Sequence, residues 1–331
     1  MRALGPLILA LGVAVSATGS RRVAAFCRTQ TCPLPADFYP SPTECVPADF
    51  ASYCASLSTP IVPVPLWWRG AVISYDLQQN ASKGLSYDQA APVVAHAFAT
   101  WTGTTCTGGG RVSIDVRDLG PVACDEVQYN SDQGNAHLIA FRDDYWPHDD
   151  PFNTLALTTI TFDHETGEIF DADMEINATV PLSVGDPVPP GGYDFESIVT
   201  HEAGHFLGMA HSGDMSATMY YYYAPGSTAQ RTLTPDDVGA ICSTYLPDHT
   251  RSVATTVAPG GKVAEGPADP TPRHGFQSQC ARAQGEGCAV STGPQQVASP
   301  WMDAAAGSML VAAAWARRGR RRVRGDGSRE A

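Results

Sequence analysis

The order of patterns along the chain predicts an α+β domain with one twisted mixed sheet and few helices. Three observations carry that expectation. Short alternating segments rich in Val, Ile, Phe and Thr follow one another between residues 71 and 176. Two helical patterns carry start signals, a capping pair at Ser86 and Gln89 and a Thr234-Pro235 step. A further helical pattern opens at Asp194 and runs into a histidine-dense stretch, "HEAGHFLGMAHS", at 201–212.

Taken in order, "AVISYDL" (71–77) reads as the first strand. After Ser86, the residues Val93, Val94, Ala97, Phe98 and Trp101 recur at helical spacing. "RVSIDV" (111–116) alternates as a half-buried strand, and "HLIAF" (137–141), "ALTTITF" (156–162) and "EIFDADMEI" (168–176) follow. The second helix begins at Asp194, with Phe195, Ile198, Val199, Phe206 and Leu207 on its apolar face. The third begins at Thr234-Pro235 and carries Val238, Ile241, Cys242, Tyr245 and Leu246.

Composition sets the boundaries. The chain has 331 residues, 43% hydrophobic and only 17% charged, with a formal net charge of -13. Seven arginines lie at or beyond Arg317, so the body is more acidic still. An acidic body excludes nucleic acid as a partner, because phosphate binding needs a basic face. Residues 1–20 have a charged start, an apolar run and a small-residue cleavage pattern, which predicts a secretory signal. Residues 21–65 are rich in Cys and Pro and read as a stapled extension or pro-segment, and 66–248 as the folded domain. Residues 249–298 are poor in large apolar side chains and read as a disordered linker. Residues 299–331 form an apolar plus Arg-rich tail.

There are nine cysteines, an odd number, which in an exported chain predicts disulfides with one left over. Proximity alone suggests Cys27–Cys32, Cys45–Cys54 and Cys106–Cys124.

The histidine stretch carries the chemistry. His201 and His205 are four apart and share one helix face. Glu202 sits beside the first of them, free to act on water rather than bind metal. Gly208 tolerates the left-handed conformation that ends a helix, so the chain can turn and bring in His211. Three imidazoles leave a fourth position open on zinc, the pattern of a catalytic site. Asp143, Asp144, Asp149 and Asp150 form one carboxylate group and Asp171, Asp173 and Glu175, alternating along one face of a strand, another; one or other is a candidate calcium site, and the alternative is a solvated polar face. His137, His148 and His164 could bind a second zinc with an Asp nearby, but each reads better as a loop or sheet-face residue without metal.

The pattern HExxHxxGxxH resembles the metzincin zinc signature, and its surroundings resemble the matrixin branch, the matrix-metalloprotease-like peptidases. Gly204, Leu207 and Ser212 fill positions that branch favours. Met219, eight residues after His211, matches the Met-turn. "LTPDDVGAICSTYL" (233–246) is similar to the closing helix, "HAFATW" (96–101) to the first helix, and "FRDDYWPHDD" and "GEIFDADMEINA" to bacterial relatives. The resemblance covers about residues 66–248. It implies a zincin-like catalytic domain with zinc ligands His201, His205 and His211, general base Glu202 and a supporting Met219. It also implies that Tyr220 to Tyr223 lie near the wall of the substrate pocket, and that calcium stabilises the fold. The Arg-Cys-Gly core of the family's pro-segment switch is absent, and so is its glycine- and histidine-rich metal loop. "GCAVS" (287–291), the apolar run Ala304 to Ala316 and the arginines resemble a myxobacterial type of C-terminal sorting tail, with Cys288 as the odd cysteine.

The expectation is an exported, monomeric zinc endopeptidase acting on protein or peptide substrates, associated with the cell surface or membrane through its tail. The alternative is a non-catalytic surface protein that keeps the fold for binding or adhesion. Glu202 discriminates between them, because a binding module has no chemical need for it.

Overall fold

The computed structural model describes residues 26–35, 38–148, 150–151 and 153–279, together with the backbone of 306–314. The signal expected at 1–20, the remainder of the tail, and Asp149, Cys280 and Cys288 lie outside the described residues.

The main sheet runs β3 (Asp115–Val122), β2 (Val72–Gln78), β4 (Leu138–Arg142), β6 (Glu168–Asn177), β5 (Thr154–Asp163) and β12 (Ala306–Ala314). A short β1 (Trp67–Trp68) adds in parallel to β6. The pairs β2–β3, β2–β4 and β4–β6 are parallel, whereas β5 is antiparallel to β6 and β12 antiparallel to β5. Small ladders join β7 (Leu182–Ser183) to β8 (Tyr193–Asp194), and β9 (Tyr245–Leu246) to β10 (Thr250–Ser252) and β11 (Lys262–Ala264).

Two long helices bury the same face of this sheet. In α2 (Tyr87–Thr102) the capping box at Ser86 and Gln89 is formed, and Ala90, Val94, Ala97, Phe98 and Trp101 are buried. In α3 (Phe195–Phe206) the Asp194 carboxylate caps the first turn by accepting from the Ser197 N–H at 2.9 Å. From the sheet, Ile73, Tyr75, Leu77, Ala172, Met174 and Ile176 complete the core. The closing helix α4 (Pro235–Thr244) begins at the expected Thr234-Pro235 step.

Three expectations change, and one segment gains an element. The strand expected at 111–116 begins at Asp115 instead. Val112 and Ile114 are buried as the alternation requires, but Arg111 bridges Thr105 and the Ser113 N–H donates to the Tyr245 carbonyl, outside the main ladder. The extension at 21–65 contains a short helix, α1 (Phe50–Ala55), that its weak periodicity hides.

The cysteine pairs are Cys27–Cys45, Cys32–Cys54 and Cys106–Cys242, and Cys124 is also disulfide-bonded. Proximity in sequence misleads here because the extension folds as two interlaced loops, and Cys242 arrives from a distant helix.

Within the expected linker 249–298, residues 249–279 are folded against the domain. Arg251 anchors them: it is fully buried and donates to the carbonyls of Trp68, Gly70 and Ser113 at 3.0, 2.8 and 3.0 Å. Low apolar content concealed an attachment made by one guanidinium and backbone ladders. Further on, Asn135 donates to the Arg273 carbonyl and the Ala123 N–H to the Ser278 carbonyl. Among the described residues no helix is long and apolar enough to cross a membrane.

Candidate metal centre and catalytic carboxylate

The site is built on the last two turns of α3 and the turn that follows. Gly208 takes φ of +86°, the left-handed conformation expected after His205, and Leu207 caps the helix. The helix's final carbonyls are met by side chains from elsewhere: Trp68 Nε1 donates to Phe206 at 2.7 Å and Tyr245 Oη to Leu207 at 2.9 Å. The reversal carries His211 back beside the helix.

His201, His205 and His211 bring one nitrogen each within 4.8 Å of one another, and no other group of three or more donors of this kind occurs among the described residues. The Nε2 atoms of His205 and His211 are 3.3 Å apart. Two nitrogens bound tetrahedrally at about 2.0–2.1 Å from zinc are separated by about that distance. His201 Nδ1 donates to the Thr218 carbonyl at 2.7 Å and His205 Nδ1 to the Met209 carbonyl at 2.8 Å. Those bonds fix the tautomer and turn each Nε2 towards the common point. Burial holds the histidines neutral: it lowers His201 to about 4 and His211 to about 3, and His205 falls well below its ordinary value, with His201 and His211 adding to the effect. Neutral imidazoles are what a metal requires. The donor set fits zinc, and the triad is a zinc site.

Glu202 is completely buried beside it. Its Oε2 accepts from Thr158 Oγ1 at 2.7 Å, while Oε1 has no partner among the described residues. Burial raises the carboxyl to about 8, and the Thr158 bond pulls the other way. A cation at the triad favours the charged form and opposes that burial. Nothing local in the sequence pointed to Thr158. It comes from β5, and only sheet pairing and helix packing bring it under Glu202.

Met219 lies against the helix at Gly204. A Cβ on Gly204 would stand 2.3 Å from the Met219 sulfur, so glycine at 204 is what lets the two approach. Asp237 holds the Met-turn by accepting from the N–H groups of Thr218 and Met219 at 2.9 and 3.0 Å. Ser212 is tethered to the start of α4 through Asp236 at 2.7 Å. The two tyrosines expected near the substrate differ. Tyr220 is half-buried and lies against Tyr221 with ring centroids 4.7 Å apart. Tyr223 is buried; its hydroxyl accepts from the Asp194 N–H at 3.0 Å and donates to the Ser227 carbonyl, so it serves the frame of α3.

The candidate calcium residues lie along one face, the Asp171 and Asp173 side chains are hydrogen-bonded to each other, and each of the three also has other partners. Glu175 is taken by Arg142 and His148, each at 2.6 Å. Asp173 accepts from the N–H groups of Leu138 and Gln128 at 2.7 and 3.1 Å. Asp171 faces His137 Nε2 at 3.7 Å.

A matrixin family model (Peptidase_M10) matches residues 67–246. The "Probable matrix metalloproteinase 095L" of Invertebrate iridescent virus 3 is 28% identical over 188 residues, covering 57% of this chain and 45% of that protein. Human "Matrilysin" is 35% identical over 102 residues, 31% of this chain and 35% of its own length. "Metalloendoproteinase 1-MMP" of Arabidopsis thaliana is 46% identical over 55 residues, 17% of this chain and 15% of its own length. The chain thus spans less than half the length of these curated relatives. The matched span is more than half of the chain and holds strands β1 to β6, the zinc triad, Glu202 and Met219, and on that ground the chain belongs to the matrixin family.

Proposed function

We propose that this chain is a zinc-dependent endopeptidase that hydrolyses peptide bonds in protein substrates. The observation that carries this reading is Glu202: a buried carboxylate beside three neutral histidines, with Oε2 fixed by Thr158 and Oε1 without a partner among the described residues. A purely structural metal site needs no such group. When bound, zinc polarises the scissile carbonyl and lowers the pKa of water towards ~7. Glu202 takes the water's proton and passes it to the departing amine. Thr158 keeps the carboxylate from rotating away, and Met209 and Thr218 hold the imidazoles in place.

An extended substrate is supported by β5. Its edge takes an extended neighbour in β12, with Val311 opposite Thr158, the residue that holds Glu202. A peptide taking the place of β12 on that edge lies beside the carboxylate. The three described disulfides suit an oxidising compartment, as expected of an exported protein. The apolar and arginine pattern of residues 299–331 supports a sorting role for the tail.

The test uses the zinc-loaded protein and its Glu202→Ala variant on a denatured protein substrate, with zinc content measured on both. The wild type cuts, a chelator stops it, and the variant keeps about one zinc while its rate falls on the order of 10³-fold. Zinc binding without any cleavage hands the protein to the binding-module reading. Absence of zinc binding removes the basis of the whole site.

A further inference from the structure

One side of the main sheet ends on β5, and the C-terminal tail fills that edge. β5 has β6 on its inner side and β12 on its outer side. The pairing with β12 is antiparallel and runs from Ala306 opposite Asp163 to Ala314 opposite Thr154, with one register shift at Ala313/Ala314. The segment that pairs, "AGSMLVAAA", has no proline to interrupt a ladder and no charge. A short piece of the tail is therefore held extended, by its backbone, along the edge of the catalytic domain.

Register decides what this strand meets. Val311 pairs with Thr158. Residues directly opposite in an antiparallel pair have Cα atoms about 4.5–5.5 Å apart. The Thr158 hydroxyl donates to Glu202 Oε2 at 2.7 Å, and Oε1 of the same carboxylate has no partner among the described residues. Glu202 stands between the ligands His201 and His205 in α3. The register thus sets the tail backbone at Val311 level with the groups that carry out hydrolysis.

Two roles for β12 have opposite consequences. As a permanent strand it would deny the edge beside Glu202 to every other peptide. As a bound substrate it is cut once and leaves the edge open. Strand addition suits the second role, because main-chain hydrogen bonds hold an extended peptide whatever its side chains. The tail is also tethered. The 26 residues from 280 to 305 join the folded domain to Ala306 and can reach at most about 90 Å. Encounter with the edge is intramolecular, so it does not depend on protein concentration.

We propose that the C-terminal tail is this enzyme's own substrate: residues 306–314 add to the β5 edge of the same molecule, and the chain is hydrolysed at or next to Val311. The proposal rests on the hydrolytic reading above and names a substrate for it. The water oxygen bonds to the scissile carbonyl carbon, Glu202 carries the water's proton to the departing nitrogen, and the C–N bond breaks. The domain side keeps a new carboxylate and the released side a new amine. The cut parts the domain from the arginines that begin at Arg317. The enzyme frees itself from its basic tail and clears the edge for other peptides.

The experiment uses the full, disulfide-intact chain prepared zinc-free, with zinc added to start the reaction. Intact mass and C-terminal sequencing are followed over time for wild type and Glu202→Ala, with zinc content and cleavage of a denatured protein measured alongside. Wild type acquires a new C-terminus between Met309 and Ala313. Its half-time is unchanged over a hundredfold dilution, and a chelator stops the process. Glu202→Ala binds about one zinc and keeps its tail, including when mixed with dilute wild type. A wild type that digests the denatured protein but keeps its tail overturns the proposal, and β12 is then a permanent strand. A cut outside residues 306–314 overturns it too, as does a half-time that shortens in proportion to concentration, which marks cleavage between molecules. In these three cases the hydrolytic reading stands. A wild type that holds zinc and cuts neither the tail nor the denatured protein removes the hydrolytic reading, and the proposal goes with it.

Discussion

Thr158 shows what one hydroxyl does for Glu202. It donates to Oε2, favours the charged carboxylate and limits its rotation. In Thr158→Val the side-chain volume is kept and the donor is lost. The acid limb of the pH–rate profile moves to higher pH, because the carboxylate loses a bond that stabilises its charge. Activity falls roughly 10–100-fold while zinc content holds, as is usual when the support of a site residue is removed. A profile that keeps its acid limb in place argues that Thr158 only packs. At this scale the sequence shows the zinc ligands and Glu202, because they are separated by helical spacing and a single glycine turn. It does not show Thr158, 44 residues upstream of Glu202.

At the scale of the element, α3 depends on how its first turn is held. The Asp194 carboxylate is fully buried, caps Ser197, and is gripped by Arg231 from Nε at 2.8 Å and Nη2 at 2.5 Å. Arg231 also approaches Glu196 at 3.3 Å. Arg231→Ala leaves a buried charge without its partner, at about 3–5 kcal/mol. Urea unfolding reads this as a lower midpoint with an unchanged slope. A loss below about 1 kcal/mol would show that Asp194 is satisfied by the cap alone. At the other end of the helix, Gly204 has no room for a methyl group: Gly204→Ala drives a Cβ into the Met219 sulfur and the Trp101 ring. The variant loses on the order of 1–3 kcal/mol from overpacking, read as a drop in Tm. The boundaries of α2, α3 and α4 were legible because each opens on a capping residue followed by apolar side chains at helical spacing. The strand at 115–122 was not, since its ladder is decided by the partner β2 rather than by its own alternation.

For the whole molecule, the second face of the sheet is unusual. Asp76, His137, Asp171 and Asp173 are all buried there. Burial raises Asp76 to about 7 and Asp173 to about 8, and raises Asp171 well above its ordinary value, with Asp173 beside it adding to the effect. Burial lowers His137 to about 4. The folded protein therefore holds carboxyl protons that the unfolded chain releases near pH 4, and these groups make stability fall as pH rises from about 4 to about 8. His137 works in the opposite sense, losing stability as pH drops from about 6.5 to about 4. Above about 6.5 the carboxyls act without it. In Asp173→Asn the decline of unfolding free energy between pH 6.5 and 8 is shallower by up to about 1.4 kcal/mol per pH unit. Equal slopes in the variant and the wild type would show that Asp173 is already ionised in the folded protein.

The Cys106–Cys242 bridge, with a sequence separation of 136, ties the loop after α2 to α4. Replacing both by Ser lowers stability by about 4–5 kcal/mol on the chain-entropy account, measurable in urea with the zinc held at saturation. A loss near zero would mean that the reduced chain keeps these ends together by other contacts.

What the sequence determined by itself was whatever lies within one or two turns of chain: the helix starts, the strand alternation, and the triad with Glu202 and its glycine turn. Local backbone geometry fixes those relations, so spacing is enough to read them. The tertiary structure alone decided which cysteines pair, that residues 249–279 belong to the domain through a buried Arg251, that Thr158 supports Glu202, and that the stapled extension stands against the His211 turn. Each of these joins segments far apart in sequence. They meet only because burial of the core brings them together, and no local pattern encodes which distant partner a polar side chain or a thiol will find.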